Sequence, residues 1–243
     1  MTTPFLSIVI PAHNEESRLP RTLGQIFTFL EKQSYPFEVI IVENGSSDRT
    51  LELAREFISR YPSLRVLHEE RPGKGNAVRR GVLEALGEYR FICDADLSMP
   101  IEEVQKFLPP LLNDFDLAIA SREAPGAVRY NEPSYRHLGG RAINLAIRLL
   151  ILPGLNDTQC GFKCFRAETA QALFSQQTLL GWSFDIELLY LARRKHLRIK
   201  EIPVQWYFDA DSKVNAVRDA LRMIGDIFGI HINAWRGRYD LNP

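Results

Sequence analysis

Short apolar, β-branched runs alternate with amphipathic segments through the first half of the chain. Apolar residues at helical spacing between the first two runs predict a helix on the stripe Leu19, Leu23, Ile26, Phe27 and Leu30. Further helices are expected after Gly45–Asp48 and after Gly73–Gly75. The runs themselves predict strands at Leu6–Ile10, Phe37–Val42, Leu64–Leu67, Tyr89–Cys93 and Leu117–Ser121. This alternation predicts an α/β fold with a mostly parallel, doubly wound sheet and helices on both faces.

The second half of the chain is less regular. Helical patterns cover residues 138–152 and 184–195, a strand is expected at Ile199–Ile202, and residues 157–166 are expected to be extended. A last amphipathic helix is predicted, with one stripe formed by Val214, Val217, Leu221, Ile224 and Phe228. Because no linker, low-complexity tract or repeat divides the sequence, we expect one domain over residues 1–243, with halves meeting near residue 122.

The composition indicates an ordinary globular protein but does not identify a binding partner. The 243 residues are 45% hydrophobic and 25% charged, as in ordinary globular domains. Thirty basic and thirty acidic residues cancel, so the net charge gives no reason to expect nucleic acid as a partner. Cys93, Cys160 and Cys164 lack paired CxxC spacing, which makes a disulfide framework or zinc site a poor prediction. We expect a cytoplasmic protein without a signal peptide or membrane-spanning segment.

The most informative motif follows the fourth predicted strand, where two carboxylates flank one small residue. In an extended segment Asp94 and Asp96 point to the same side, and Ala95 lets a ligand approach the backbone. Hard divalent ions such as Mg²⁺ take few carboxylates and complete their shell with water and phosphate oxygens. The motif alone is equally typical of a solvated turn at a strand end.

Polar residues also follow the other predicted strands of the first half. Ligands in such sheets gather at the carboxyl ends of the strands. Asn14 and Glu43 can bond to base edges or ribose hydroxyls, and Gly73 and Gly75 can present Lys74 to a phosphate. Each signal is weak alone, since Gly73–Gly75 is also a common helix-entry turn. The agreement of four strand ends predicts a nucleotide site.

Several motifs together resemble family 2 glycosyltransferases, whose fold is called GT-A. In the first half they are IVIPAHNEE at residues 8–16, VENGSSDRT at 42–50, GKG at 73–75 and DADLS at 94–98. In the second half, DTQCGFK at 157–163, WSFDIE at 182–187 and IPVQW at 202–206 resemble the polyprenyl-phosphate branch, including dolichyl-phosphate glucosyl- and mannosyltransferases. The resemblance runs from about residue 6 to residue 230.

This resemblance implies a nucleotide-sugar donor, a divalent metal (Mg²⁺ or Mn²⁺) and a lipid-linked phosphate acceptor. It implies that Asp96 binds the metal, and Ser98 stands where related mannosyltransferases have the glutamine that would assist it. Many relatives have Asp-Asp-Gly-Ser where this chain has Glu43-Asn44-Gly45-Ser46, which leaves the base preference open. The donor site it implies is formed by Pro11, Ala12, Asn14, Glu15, Glu43, Asn44, Lys74, Asp94 and Ala95.

Basic residues of the second half are candidates for binding the acceptor and the diphosphate. They are Arg122 at the fifth strand end, Arg141, Lys163 and Lys213. Without the resemblance, each is better explained as a surface charge or a charge on a helix stripe. Asp185 is equally consistent with helix capping and with a role in sugar or acceptor binding.

The function expected is inverting transfer of a hexose to a polyprenyl phosphate, with glucose from UDP-glucose favoured, at the inner face of a membrane. An ionised acceptor phosphate needs no general base. The same chemistry with GDP-mannose, or with a soluble acceptor, stays open. Two other classes also stay open: a nucleotide-sugar-binding module without turnover, and a nucleotidyltransferase. The last helix packs in the core or, less favoured, rests on lipid headgroups as a peripheral membrane contact.

Overall fold

Strands and helices alternate through the first half of the protein, as the sequence predicts. The computed structural model describes residues 3–209 and 216–240. In the first half the elements are β1 (Leu6–Ala12), α1 (Leu19–Leu30), β2 (Phe37–Glu43), α2 (Thr50–Glu56), β3 (Leu64–His68), α3 (Lys74–Glu84), β4 (Tyr89–Ile92) and β5 (Leu117–Ser121). Two 3-10 helices, Phe57–Ser59 and Ile101–Phe107, complete this half.

The second half contains more elements than its sequence pattern predicts. They are β6 (Val128–Tyr130), α4 (Ser134–Leu150), β7 (Lys163–Arg166), α5 (Ala167–Phe174), α6 (Phe184–Arg194), β8 (Ile199–Pro203), β9 (Gln205–Tyr207) and α7 (Ala216–Trp235). The sequence pattern misses α5 and the small parallel sheet of β6 and β9, since these elements are too short to show a clear period. Helix α4 begins four residues earlier than residue 138.

A seven-stranded sheet organises the molecule in the order β3-β2-β1-β4-β7-β5-β8. Strands β3, β2, β1 and β4 are mutually parallel, and β5 is parallel to β8. Strand β7 is antiparallel to both neighbours and joins the two parallel groups. The predicted mostly parallel sheet is therefore correct, and one antiparallel strand from the second half completes it.

Both faces of the sheet are covered, and the alternation of side chains along the strands decides which layer each residue joins. On β1, Ile8 and Ile10 pack in the layer of α1, whereas Val9 packs in the layer of α3 and α6. All three residues are fully buried. Burial on both faces explains why the strands are continuous apolar runs without polar alternation.

Ile224 and Phe228, two members of the apolar stripe predicted for the last helix, are not core, and for these two residues the expectation was wrong. Ile224 and Phe228 are 41% and 59% exposed, while Met223, Ile227 and Ile230 form the buried face of α7. Val214 lies outside the described residues, as do the side chains of Val217 and Leu221. No helix among the described residues is both long enough and apolar enough to cross a bilayer.

Helix α3 lies directly on the sheet at Gly81. A Cβ atom at this position would clash with a methyl of Val9 and lie 2.7 Å from a methyl of Val42. The side chains that would have to move belong to the central strands, which cannot shift without disturbing the sheet. The absence of a side chain at Gly81 therefore sets the distance between α3 and the sheet.

A buried ion pair connects the end of β5 to the loop that precedes β7. Arg122 donates from Nε and Nη2 to the two Asp157 carboxylate oxygens at 2.7 and 3.0 Å, and its backbone N–H donates to Oδ2 at 3.0 Å. Asp157 is fully buried. Burial alone would raise its pKa, but Arg122 outweighs burial and holds the pKa below its ordinary value of 3.8.

Gly81→Ala should lower the free energy of unfolding by about 1–3 kcal/mol, because the added methyl overpacks the contact between α3 and β1. Gly24→Ala is the matched control: it lies on α1 with no atom within 4 Å of its built Cβ, so alanine should be neutral or stabilise by about 0.5–1 kcal/mol. Chemical denaturation of both variants measures the difference. Equal stabilities would contradict the close approach of α3 to the sheet.

Asp157→Asn should cost about 3 kcal/mol at neutral pH, since it leaves Arg122 partly buried without its counter-charge. The pKa of Asp157 is lowered by folding, so this stability is complete above pH 3.8 and is lost as the pH falls through the lower folded value. The gap between wild type and variant should narrow below pH 3.8 in denaturation curves. Asp114→Asn, at a site whose side chain is 75% exposed, should change stability by less than about 1 kcal/mol.

Candidate functional site

Two carboxylates lie just beyond the carboxyl end of β4, in a turn and not in the strand. The strand ends at Ile92, so the predicted reason for their pairing, a shared side of an extended strand, was wrong. Leu97 has a φ of 47° and turns the chain immediately after Asp96. Thr22 on α1 fixes the turn, because its hydroxyl donates to the Ala95 carbonyl at 2.6 Å. The turn therefore holds Asp94 and Asp96 close enough to interact.

Asp94 is held between a cation and a glycine. Lys74, at the first position of α3, places its Nζ 2.6 Å from Asp94 Oδ1. On the other side, a Cβ atom at Gly161 would clash with Asp94 Oδ2, so the Asp94 carboxylate occupies the space that a side chain would take. The ring of Trp182 packs 4.9 Å from the Lys74 ammonium. Lys74 and Asp94 thus form a fixed ion pair beside the aromatic ring.

Asp96 is exposed at the edge of the site and accepts a hydrogen bond from the Ser98 backbone N–H at 3.0 Å. Its pKa is raised above the ordinary value, first because surrounding protein displaces water and second because Asp94 carries the same charge. A bound cation would relieve both effects. The crowded pair therefore suits a divalent ion.

The number of nearby ligands also fits an ion that relies on water and substrate. Among the described residues no three His, Cys, Asp or Glu side chains converge on one point. Mg²⁺ and similar ions are commonly held by one or two carboxylates together with phosphate oxygens. Two carboxylates without a third such ligand are compatible with an ion of this kind.

A second lysine lies beneath the first. Lys163 on β7 is only 2% exposed; its Nζ lies 2.9 Å from Asp185 Oδ1 and donates to the Cys160 carbonyl at 2.6 Å. Burial raises the pKa of Asp185, and the charges of Lys163 and Lys74 oppose this rise. For Lys74, burial disfavours the charged form, but Asp94 and Asp185 outweigh it and raise the pKa. Both carboxylates thus favour the ammonium form of Lys74.

The end of β2 carries buried polar side chains whose hydrogen bonds hold the neighbouring loops. Glu43 is buried and accepts hydrogen bonds from the Ser46 backbone N–H and from His68 Nδ1, the latter at 2.5 Å. Burial raises the pKa of Glu43, but these bonds outweigh it, so the net pKa lies below the ordinary value. Asn44 donates to the Glu69 and Arg71 carbonyls at 2.9 and 2.6 Å. The Asn44 side chain therefore ties the loop before α3 to β2.

The loop after β1 lies against the start of α2. Asn14 adopts a φ of 55°, and its side-chain oxygen accepts a hydrogen bond from the Ser47 backbone N–H at 2.8 Å. The Glu15 backbone N–H donates to Thr50 Oγ1 at 2.8 Å. Pro11 and Ala12 end β1, in register with Val42 and Glu43 of β2. The structure therefore brings together the predicted donor residues from β1 and β2.

The structure does not bring all of the predicted acceptor residues to the acidic pair. Arg122 is 21% exposed at its side chain, and both sides of its guanidinium are used, by Asp157 and by the ring of Trp206 at 5.4 Å. Arg141 is exposed on α4. Lys213 lies outside the described residues. Ser98 contributes backbone groups, since its carbonyl accepts a hydrogen bond from Tyr207 N–H at 2.7 Å.

An open groove of about 1090 Å³ extends from Asp96 between α1 and the 3-10 helix at Ile101–Phe107. Arg18, Tyr207 and Phe208 are among its lining residues. Sequence reasoning gave no role to Gly161, His68, Trp182 or Asp157. Gly161, Trp182 and Asp157 lie within the motifs that carry the family resemblance, and this was the only signal for them in the sequence. Their contacts could not be predicted, because their partners lie far away along the chain.

Comparison with known proteins agrees with this geometry. The model of the family described as glycosyl transferase family 2 matches residues 7–174. Dolichyl-phosphate beta-glucosyltransferase of Homo sapiens is 34% identical over 254 residues, covering 96% of this chain and 78% of that protein. The enzyme of the same name from Saccharomyces cerevisiae is 31% identical, covering 97% of this chain and 76% of that protein.

Solved structures share the fold. Glucosyl-3-phosphoglycerate synthase from Mycobacterium tuberculosis, solved with uridine diphosphate, superposes with a TM-score of 0.65 at 21% identity, covering 93% of this chain and 80% of that one. This match confirms the predicted GT-A architecture. The family match spans more than half of the chain, and the relatives above exceed 30% identity over most of its length. The chain therefore belongs to glycosyl transferase family 2.

Proposed function

We propose that this protein transfers glucose from UDP-glucose to a polyprenyl phosphate of the dolichyl type, with inversion at the anomeric carbon. The observation that carries the proposal is the crowded Asp94–Asp96 turn with Lys74 against it, at the carboxyl ends of parallel strands. The similarity to dolichyl-phosphate beta-glucosyltransferases over nearly the whole chain supports the choice of sugar and acceptor.

A divalent ion, Mg²⁺ or Mn²⁺, would be held by Asp96, with Asp94 beside it. When bound, such an ion neutralises the charge that develops on the leaving diphosphate. The donor set fits it, because two acidic groups already repel one another at this point. Related support comes from the mycobacterial synthase of the same fold, which was solved with Mn²⁺ and UDP-glucose.

On the donor side we assign the nucleoside to the wall formed by the ends of β1 and β2. Glu43 is buried and supports this wall through its bonds to Ser46 and His68, Asn14 lies at its edge, and Pro11, Ala12, Glu15, Asn44 and Ala95 shape the backbone around them. Lys74 is 17% exposed and points to the acidic pair, so its ammonium group can also meet a diphosphate oxygen. Because Lys74 is already fixed by Asp94, little side-chain freedom is lost when the donor binds.

On the acceptor side the protein has to bind and orient a phosphate that is already ionised at neutral pH. No proton needs to be removed, so we assign no general base to Asp185. Asp185 instead fixes Lys163 at 2.9 Å and favours the charged form of Lys74. Arg122, Arg141 and Lys213 stay candidates for the acceptor phosphate, and Arg122 would have to share its guanidinium with Asp157.

Asp96→Asn should lower transfer by about a hundredfold or more, because charge stabilisation of the leaving group is lost. The matched control is Glu102→Gln, which removes an exposed carboxylate from the same groove and should leave transfer within about twofold. The assay uses labelled UDP-glucose, Mg²⁺ or Mn²⁺ and a polyprenyl phosphate in detergent, with extraction of the charged glycolipid. Full activity of Asp96→Asn in the presence of chelator would overturn the metal assignment.

The same assay separates the competing functions. Product from GDP-mannose and not from UDP-glucose would replace the proposed donor. Release of pyrophosphate would indicate a nucleotidyltransferase, whereas UDP binding without product from any nucleotide sugar would indicate a binding module. Glucose transfer only to a soluble acceptor would exclude the lipid.

Gly161→Ala should reduce transfer by about a hundredfold, since the added methyl displaces the Asp94 carboxylate by roughly an ångström. Gly181→Ala is the matched control, because no atom lies within 4 Å of its built Cβ. Circular dichroism and thermal unfolding establish that both variants are folded. Wild-type transfer by a folded Gly161→Ala protein would show that the position of Asp94 does not matter to the reaction.

A further inference from the structure

Two neighbouring helices of the second half expose apolar side chains that the fold does not cover. On α7 these are Ile224, Phe228, Ile232 and Trp235, exposed by 41, 59, 48 and 86%. On α4 they are Leu145, Leu149 and Leu150, exposed by 54, 77 and 46%. Scattered apolar residues on a surface need no explanation, but seven on two adjoining helices do.

The exposed residues of α7 form one stripe. Residues 224, 228, 232 and 235 follow one another at spacings of four and three, so they lie along one side of the helix. The buried side, formed by Met223, Ile227 and Ile230, is offset by about a third of a turn. Helix α7 is thus apolar over much more of its circumference than its contact with the core requires.

The stripe lies next to the side of α7 that meets α4. His231 stands between the buried side and the stripe, and its Nε2 lies 3.3 Å from the Leu150 carbonyl at the end of α4. Leu149 and Leu150 therefore lie near the junction of the two helices, beside the residue that precedes Ile232. We call this combined apolar area, formed by the seven residues named above, the α4–α7 face.

Positive charge accompanies the α4–α7 face. Arg141, Leu145 and Leu149 follow at intervals of four, which places the arginine in line with the exposed leucines, and Arg148 lies beside them. The segment Ser134–Leu150 contains three arginines and no aspartate or glutamate. On α7, Asp226 is turned away from this face, since it accepts a hydrogen bond from Ser183 Oγ at 2.6 Å.

Helix α7 is connected to the catalytic region through that same hydrogen bond, which lies on the side away from the α4–α7 face. Ser183 precedes α6 and follows Trp182, whose ring packs on Lys74, which in turn pairs with Asp94. One chain of contacts thus leads from α7 to the acidic pair.

We propose that the α4–α7 face docks on a lipid bilayer containing anionic lipids, with its apolar residues among the acyl chains and its arginines at the headgroups. Amphipathic helices with basic flanks bind membranes in this way. A second copy of the chain suits the face less well, because a two-fold interface would bring both sets of arginines together without an acidic partner. The inference deepens the proposed function and rests on it, because a polyprenyl phosphate acceptor is embedded in a bilayer.

Vesicle flotation tests the proposal without turnover. The unaltered protein should float with vesicles of phosphatidylcholine and phosphatidylglycerol, and Leu149→Glu combined with Phe228→Glu should reduce the bound fraction at least about tenfold. Leu111→Glu is the matched control, since Leu111 is 69% exposed outside this face, and it should float as wild type does. Equal flotation of the double variant and wild type would overturn the proposal.

The charge component is tested separately. Arg148→Glu should weaken binding to the anionic vesicles by about fivefold or more and change binding to pure phosphatidylcholine little. Arg55→Glu, an exposed arginine on α2, is its control. Equal weakening by both variants would show that net charge, and not this face, controls binding.

A third measurement does not depend on disruptive substitutions. Brominated lipids should quench part of the tryptophan fluorescence of the wild-type protein, and Trp235→Phe should remove that quenched part. No quenching would overturn the proposal. If sedimentation shows a dimer that the double variant dissociates, and wild type does not float, the face is an interface between copies.

The two proposals can fail separately. In detergent with a short-chain polyprenyl phosphate, Leu149→Glu with Phe228→Glu should retain transfer within about twofold, while its transfer in vesicles falls with binding. If wild type makes no glycolipid in detergent but still floats through this face, the reaction assigned above fails and the docking surface stands. If wild type makes glycolipid normally in detergent but does not float with vesicles, the docking surface fails and the assigned reaction stands.

Discussion

The site depends on one constraint: two carboxylates that repel each other are held in a single tight turn beside one lysine. Asp94 cannot move away from Asp96, because Lys74 holds one of its oxygens and the backbone at Gly161 closes the space next to the other. The pKa of Asp96 is raised first by the loss of water around its carboxylate and second by this confinement beside Asp94. A folded chain tolerates such crowding when a cation and a charged ligand relieve it, which is why the turn suggests a binding site rather than a solvated loop.

The rest of the architecture can be understood from the need to keep that turn in place. Parallel strands β1, β2 and β4 bring their carboxyl ends to one edge of the sheet, and antiparallel β7 brings Lys163 and the Gly161 backbone to the same edge from the second half. The buried pairs Arg122–Asp157 and Lys163–Asp185 fix the loops around β7. Buried pairs of this kind add little net stability, but removal of one partner is costly, so they define the arrangement more than they strengthen it.

Side chains that bind substrate and side chains that support them are interleaved here. Asn44 hydrogen-bonds to three backbone groups of the loop at residues 69–73 and so fixes the approach to α3, although its place at a strand end also suits a base or ribose contact. Asp185 is deeply buried and acts on its neighbours through charge. Helix α7 reaches the same region through Ser183, so one surface outside the sheet is connected to the chemistry within it.

The sequence by itself determined the first-half strands and helices, the family and the acidic pair, because these depend on local patterns: apolar period, strand-end chemistry and motifs a few residues long. It also singled out Lys74 as a candidate from its place at a helix start, and Lys74 lies beside the acidic pair. Only the tertiary structure decided that β7 joins two parallel groups, that Asp157 engages Arg122, that Gly161 confines Asp94, and that Phe228 is exposed while Ile227 is buried. Each of these features joins residues that are distant along the chain or depends on which side of a helix meets the core. Local sequence patterns specify neither property.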